Sequence, residues 1–266
     1  DVTAALATAA DADYEVEQGV SFVGINALIM RRYMHEYGWK HADFAPFSIN
    51  AHANAMHNPF ARLHQKINVD QFEKSAMVAT PVNLLDASPT GDGAAAVVIV
   101  PAEKVASLKG KSRITIAASS SATDTIAVHS RKDPLFLSAA YQSAKRAYEM
   151  ACVGPEDIDV FELHDAFSIM SALSLEACGF AERGQGVRLG LDDEIGPKGH
   201  IPICTRGGLK ARGHPVGATG IYQIVEVAQQ LRGECNGTQV DGAKVGMAQN
   251  IGGSGATILT HILKAE

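Results

Sequence analysis

The sequence predicts an α/β fold: a layered domain built on a mixed sheet. Three observations carry that expectation. Between residues 113 and 263 short β-rich runs alternate with helical stretches. Two glycine-rich turns, around residues 91–93 and 253–255, each feed an apolar strand. Hydrophobic residues make up 46% and charged residues 20% of 266 positions, which supplies a sizeable core and excludes dominant disorder.

Taken in order, residues 20–34 place Val20, Phe22, Val23, Leu28, Ile29 and Met34 at three- and four-residue steps, the mark of a helix with one buried face. Residues 35–80 are rich in His, Asn and Pro and read as a loop-rich excursion with a short helical stretch at 69–74. Residues 95–100 read as a strand. Further strands are expected at 113–118, 158–163, 244–248 and 256–263, and helices at 136–152, 166–178 and 218–231, the last two closed by Gly179 and Gly233.

The two glycine turns are related. Gly91, Gly93 and Ala94 followed by a strand match Gly253, Gly255 and Ala256 followed by a strand, at a constant offset of 162 residues. If this is a duplication, each copy ends an α/β half. Strand–helix alternation precedes the second copy, whereas helix and loop precede the first. The chain thus reads as one complete half plus the last strand of another.

Composition narrows the partners. A net charge of −6 argues against a nucleic acid or an anionic membrane. The longest apolar run, 94–100, is far below the roughly 18 residues of a membrane span. Four cysteines without a CxxC pair do not form a secreted disulfide framework and fit a reducing cytoplasm. The N-terminal residues lack the pattern of a secretory leader. The histidines show no metal-ligand spacing, so no metal is expected.

Three segments can carry chemistry. In Gly208-Leu-Lys-Ala-Arg-Gly-His-Pro-Val-Gly-Ala-Thr-Gly220, His214 sits in a Gly/Pro-constrained turn before a helix, whose N-terminus disfavours imidazolium and keeps the ring available as a base. His164 and Asp165 end an apolar strand, where open α/β sheets place ligands; Asp165 is expected to cap the following helix. The turn Gln249-Asn-Ile-Gly-Gly-Ser-Gly-Ala256 can converge backbone N–H groups on an oxygen that turns negative in acyl transfer.

With these motifs the chain resembles the C-terminal two-thirds of a thiolase, of the branch that holds archaeal thiolases and the sterol-carrier-protein type. His164-Asp165-Ala166-Phe167 is similar to that branch's HDCF or HDAF motif and to the NEAF box of other thiolases. Gly213-His214-Pro215 with its VGATG tail, Gln249-Asn250-Ile251-Gly252-Gly253 and the turn at 88–95 complete the resemblance, which covers essentially all 266 residues. It implies the five-layered α-β-α-β-α thiolase fold, with a loop domain over 1–82, the terminal strand and helix of the N-terminal half over 83–110, and the C-terminal half over 111–266.

It implies roles as well. His214 matches the His that activates the nucleophilic Cys and donates into the first oxyanion hole. His164 stands where the NEAF Asn holds a water, and Gly252 matches a Gly whose N–H helps form the second hole. Ser88 matches a Ser near the pantetheine of coenzyme A, and His52 lies in the region resembling the loops that cover acyl-CoA. The coenzyme A thioester is then substrate, and no cofactor is implied.

The departures matter equally. None of the four cysteines lies where thiolases carry the nucleophile, and oxyanion stabilisation alone does not replace a thiol that becomes acylated. The reading is a large subunit completed by a small Cys-containing thiolase subunit of roughly 120 to 150 residues, whose sheet the 93–100 strand joins, with truncation as the rival explanation. A heterotetramer follows by resemblance, and archaeal thiolase complexes suggest a small OB-fold/zinc-ribbon acyl-CoA-binding protein beside it. The positions where thiolases carry a second Cys as acid and base hold Asn250 and Ala166, neither able to shuttle a proton; Cys204 is the nearest local substitute. A retro-aldolase or lyase acting on a CoA thioester, or a non-catalytic acyl-CoA-binding scaffold, are the alternatives.

Overall fold

A computed structural model describes residues 2–105 and 113–266. The first part is helical: α1 (Val2–Ala7), α2 (Phe22–Tyr37), α3 (Ala45–Ala55) and α4 (Val69–Glu73), followed by a small hairpin of β1 (Met77–Ala79) and β2 (Val82–Asn83) and by α5 (Ala102–Val105). The second part alternates: β3 (Ile114–Thr123), α6 (Ser138–Ala151), β4 (Val160–Glu162), α7 (Ser168–Ala177), α8 (Gly186–Leu191), α9 (Thr219–Leu231), β5 (Val245–Gly252) and β6 (Thr257–Ala265). A boundary at residue 110 lies outside the described residues.

The four long-range strands form one mixed sheet in the order β3-β6-β5-β4, with β5 parallel to β4 and the other pairs antiparallel. Strand alternation splits β5 between two faces. Met247, Gln249 and Ile251 point toward α6 and α7, while Gly246, Ala248 and Asn250 face α9. On α6, Ala139, Ala140, Ser143, Ala144, Ala147 and Ala151 make a buried small-residue stripe that brings the helix close to β3 and β6. Helix α9 packs on β4, β5 and β6 from the other side. The result is the α-β-α half that the resemblance implies.

Helix α2 begins where Ser21 Oγ accepts from the Gly24 N–H at 3.2 Å and ends at Gly38, whose φ of 77° stops it. It extends three residues beyond the apolar periodicity because Tyr37 packs its ring edge-on to Tyr33.

Two expectations fail. The 35–80 region is not mostly loop, because α3 runs through it. Its Asn-rich sequence hides a buried helix. Asn54 Nδ2 donates to the Cys204 carbonyl at 3.1 Å, and Asn50 Nδ2 to the Ile203 carbonyl at 3.0 Å. These amides satisfy carbonyls of a segment that belongs to no regular strand or helix beyond the Ile203 bridge to Phe161, and so a polar helix face goes inside.

The second is the strand at 93–100. Residues 91–100 have no regular secondary structure and pair with no strand, and Val98 is 91% and Ile99 70% exposed. A strand needs a neighbour for its N–H and C=O groups, and no described strand pairs with this segment.

Candidate active site

The site forms where β4 and β5 end beneath the N-terminus of α9. The segment after β4 carries Leu163, His164 and Asp165, all buried. Asp165 does not cap α7, whose N-cap is Phe167 without a side-chain cap. Its carboxylate instead crosses to the helical turn Gly208–Arg212 and accepts from the Leu209 N–H at 2.6 Å. That turn admits no side chain at two positions. A Cβ on Gly207, at φ 107°, would meet Ala55 Cβ at 2.8 Å, and one on Gly208 would meet the Asp165 carboxylate at 2.5 Å. Lys210, fully buried, donates its ammonium to the Asp86 carbonyl.

Residues 86–90 stitch the two histidine-bearing segments together. The Ser88 N–H donates to the Ala166 carbonyl at 2.8 Å, and the His214 N–H to the Pro89 carbonyl at 3.1 Å. His164 and His214 thereby meet edge to face, ring centroids 5.1 Å apart and planes at 87°. His214 Nδ1 lies 2.7 Å from Thr219 Oγ1, which is 3.1 Å from the Pro215 carbonyl. A carbonyl only accepts, so the Thr219 hydrogen goes to it and His214 Nδ1 donates, leaving a lone pair on Nε2.

Electrostatics keep both rings neutral. Burial, reinforced by the Arg212 guanidinium, pushes His214 down to about 4. Burial, with His214 and Arg212 adding to it, holds His164 well below the usual histidine range. Arg212 is itself buried, with Nε 3.0 Å from a Glu226 carboxylate oxygen and its guanidinium over the Tyr222 ring. Beside His214 opens a cavity of about 460 Å³ lined by Arg62, Thr90, Arg212, His214 and Tyr222.

Of the residues singled out in the sequence, His214, His164 and Asn250 come together, with Asn250 Nδ2 3.3 Å from His164 Nδ1. Gly252 ends the same strand two residues on, opposite Thr257. Ser88 sits on the stitching segment. His52 is buried in α3 and donates Nδ1 to the Gln65 carbonyl at 2.8 Å, which ties it to its own loop. Cys204 is buried against the Asp165 carboxylate, and burial with that charge drives its thiol far up, the opposite of a nucleophile. Cys178 faces Gln249, Cys152 approaches the Glu149 carbonyl and Cys235 is buried with its thiol pushed up to about 12. Among the described residues no cysteine contacts either imidazole, and no cluster of three metal-ligating side chains occurs. No helix there is long and apolar enough to cross a membrane.

Sequence reasoning missed Thr219, Gln223 and Glu226. A signal existed: with Gln230 they recur at four-, three- and four-residue steps on the buried face of α9, where apolar residues are the rule.

Comparison with known proteins agrees with this architecture. Residues 120–265 match the thiolase C-terminal domain-like family. The chain is 46% identical over 262 residues to an acetyl-CoA acetyltransferase of Methanothermobacter thermautotrophicus, covering 98% of this chain and 68% of that protein. It is 34% identical to the benzoylsuccinyl-CoA thiolase subunit BbsB of Thauera aromatica, covering 91% of this chain and 63% of that subunit. The Ltp2-ChsH2(DUF35) aldolase shares the fold with a TM-score of 0.85 at 22% identity, covering 95% of this chain and 66% of that one. On these matches the chain belongs to the thiolase family.

Proposed function

We propose that this chain supplies the histidines and backbone amides of a thiolase-type active site that condenses or cleaves acyl-CoA thioesters, and that the cysteine it acylates is brought by a small partner subunit. The observation that carries the reading is His214 itself: a neutral ring with Nδ1 committed to Thr219 and Nε2 open, beside a cavity, with no cysteine of its own to activate.

In this reading Nε2 of His214 takes the thiol proton as the sulfur attacks the thioester carbonyl. The carbonyl oxygen turns negative, the C–S bond breaks, and the departing coenzyme A thiolate takes up a proton from solvent while the thiol proton stays on His214 Nε2. His214, then carrying hydrogen on Nε2, with a water held by His164, forms one oxyanion hole; the Gly252 N–H contributes to the second. Ser88 lines the pantetheine path, and His52 braces the loops over the acyl-CoA.

The rest of the molecule supports a missing neighbour. Residues 97–99 offer apolar side chains to solvent, and the same segment borders a half-open cavity of about 800 Å³ with Ile114, Ile116, Ile224 and Ala228. A strand beside 93–100 and an apolar element in that groove would complete a second sheet and its packing layer. The chain spans about two-thirds of the archaeal relative, and BbsB is a subunit by name.

Brief exposure of the purified assembly to acetyl-CoA followed by mass spectrometry tests the proposal. An acetylated cysteine on a copurifying small chain is the expected result. Turnover by the 266-residue chain alone, or an acetyl group on one of its own four cysteines, overturns it. Asn250 and Ala166, where thiolases place their second cysteine, favour a second reading, carbon–carbon cleavage of a β-hydroxyacyl-CoA without acyl-enzyme. Release of a carbonyl product from such a substrate, with no acylated sulfur, would select it.

A further inference from the structure

Buried on α9, Gln223 occupies the point where the two strand ends converge. Its Nε2 donates toward the carbonyls of Glu162 at 3.1 Å, Leu163 at 3.0 Å and Gln249 at 2.9 Å. Three acceptors leave no freedom in the amide's orientation, because a flipped Gln would set its oxygen against all three. Oε1 must therefore point the other way, and it accepts from Asn250 Nδ2 at 2.9 Å. That fixes the Asn250 amide in turn. Its NH2 group, not its oxygen, is presented to His164 Nδ1 at 3.3 Å. A ring nitrogen facing an amide donor must hold a lone pair, so the hydrogen of neutral His164 resides on Nε2.

His214 has the opposite assignment, with hydrogen on Nδ1 and the lone pair on Nε2. Two neutral imidazoles 5.1 Å apart are thus locked in complementary tautomers, one a donor and one a base. We propose that Gln223 is a positioning residue that acts through Asn250 to hold His164 as the Nε2–H tautomer, so that the site contains one fixed donor beside one fixed proton acceptor. Both controlling side chains come from α9: Thr219 sets His214, and Gln223, one turn later, sets His164. The inference rests on the proposed site but not on its chemistry, since a tautomer is a property of the resting protein.

Selective 15N-histidine labelling of the full chain, together with whatever copurifies with it, reads the tautomer directly. In the unaltered protein His164 is expected to show a pyridine-like Nδ1 and a pyrrole-like Nε2. Asn250→Asp leaves the three carbonyls available to Gln223 Nε2 but sets an acceptor against both Gln223 Oε1 and His164 Nδ1, and the pattern of His164 should invert. Gln223→Met removes the anchor of Asn250, and the two His164 resonances should move toward intermediate values while those of His214 stay put. A pyrrole-like Nδ1 in the unaltered protein overturns the proposal. So do unchanged His164 resonances in both variants: Gln223 would then be only a clamp between strands, which a drop in melting temperature alone would show. A tautomer as expected in a protein that never acylates a cysteine would leave this inference standing and sink the acyl-transfer reading.

Discussion

The two faces of the sheet are finished to different degrees. Against α6 and α7, Met247, Ile258 and Ile262 are fully buried among the alanines of α6, and the hydroxyls of Ser143 and Thr260 bond each other within the layer. On the α9 side, Val160, Ala248 and Val227 are covered, yet Ile116 on β3 and Leu259 on β6 remain 43% and 40% exposed, and Ile116 borders an open groove. The polar site lies on this second face, at the ends of β4 and β5. The first face holds a closed core; the second is partly exposed, with the candidate site at its edge.

The contrast is sharpest in function. On the proposed function, His214→Ala should lower the rate of acyl transfer about 10²- to 10⁴-fold, measured as acetyl incorporation into a copurifying small chain, while the unfolding midpoint changes little. Persistence of the normal rate would mean that the open face does not carry the reaction.

Stability should follow the closed face. Ile262→Ala is expected to cost about 2–5 kcal/mol in denaturant unfolding, because it leaves a cavity among close-packed neighbours. Leu259→Ala, on the opposite face of the same strand and 40% exposed, should stay within about 0.5 kcal/mol in the isolated chain. Equal costs in the isolated chain would erase the distinction.

pH separates the faces differently. The native state holds His214 neutral down to about 4, whereas the unfolded chain protonates it near 6.5. The unfolded state therefore binds the extra proton, and the contribution of His214, whole above about 6.5, is lost as pH falls toward 4. Comparing unfolding free energies of the wild type with His214→Asn isolates it: the difference should move against the wild type across that window. Glu162 acts with opposite sign, since burial beside Glu226 pushes its carboxyl up to about 8 and the native state keeps a proton that the unfolded state releases. Stability tied to it declines as pH rises from about 4.5 toward 8.

The smallest effect concerns the unpaired segment. Val98→Asp should leave the melting temperature of the isolated chain unchanged, because the side chain is already exposed, but weaken association with a partner in size-exclusion chromatography. An unaffected assembly would place the partner elsewhere.

His214 and His164 were legible in the sequence because glycines and strand ends mark them locally: a Gly/Pro turn before a helix, and a polar pair after an apolar strand. Asp165 was visible but misread. Its local context suggests a cap, while its carboxylate reaches a turn 44 residues away. Helix α3 was hidden because its buried face carries Asn50 and Asn54, and only the carbonyls of Ile203 and Cys204 explain why amides belong there.

The sequence by itself determined most of the periodic elements and the glycine turns, since each depends on residues close together along the chain. The tertiary structure decided which polar groups face one another: that Thr219 and Gln223, unremarkable on one helix, meet His214 and, through Asn250, His164. It also decided that residues 93–100 pair with no strand among the described residues. Tautomers, burial and sheet pairing are properties of neighbours in space, and here those neighbours come from segments that only folding brings together.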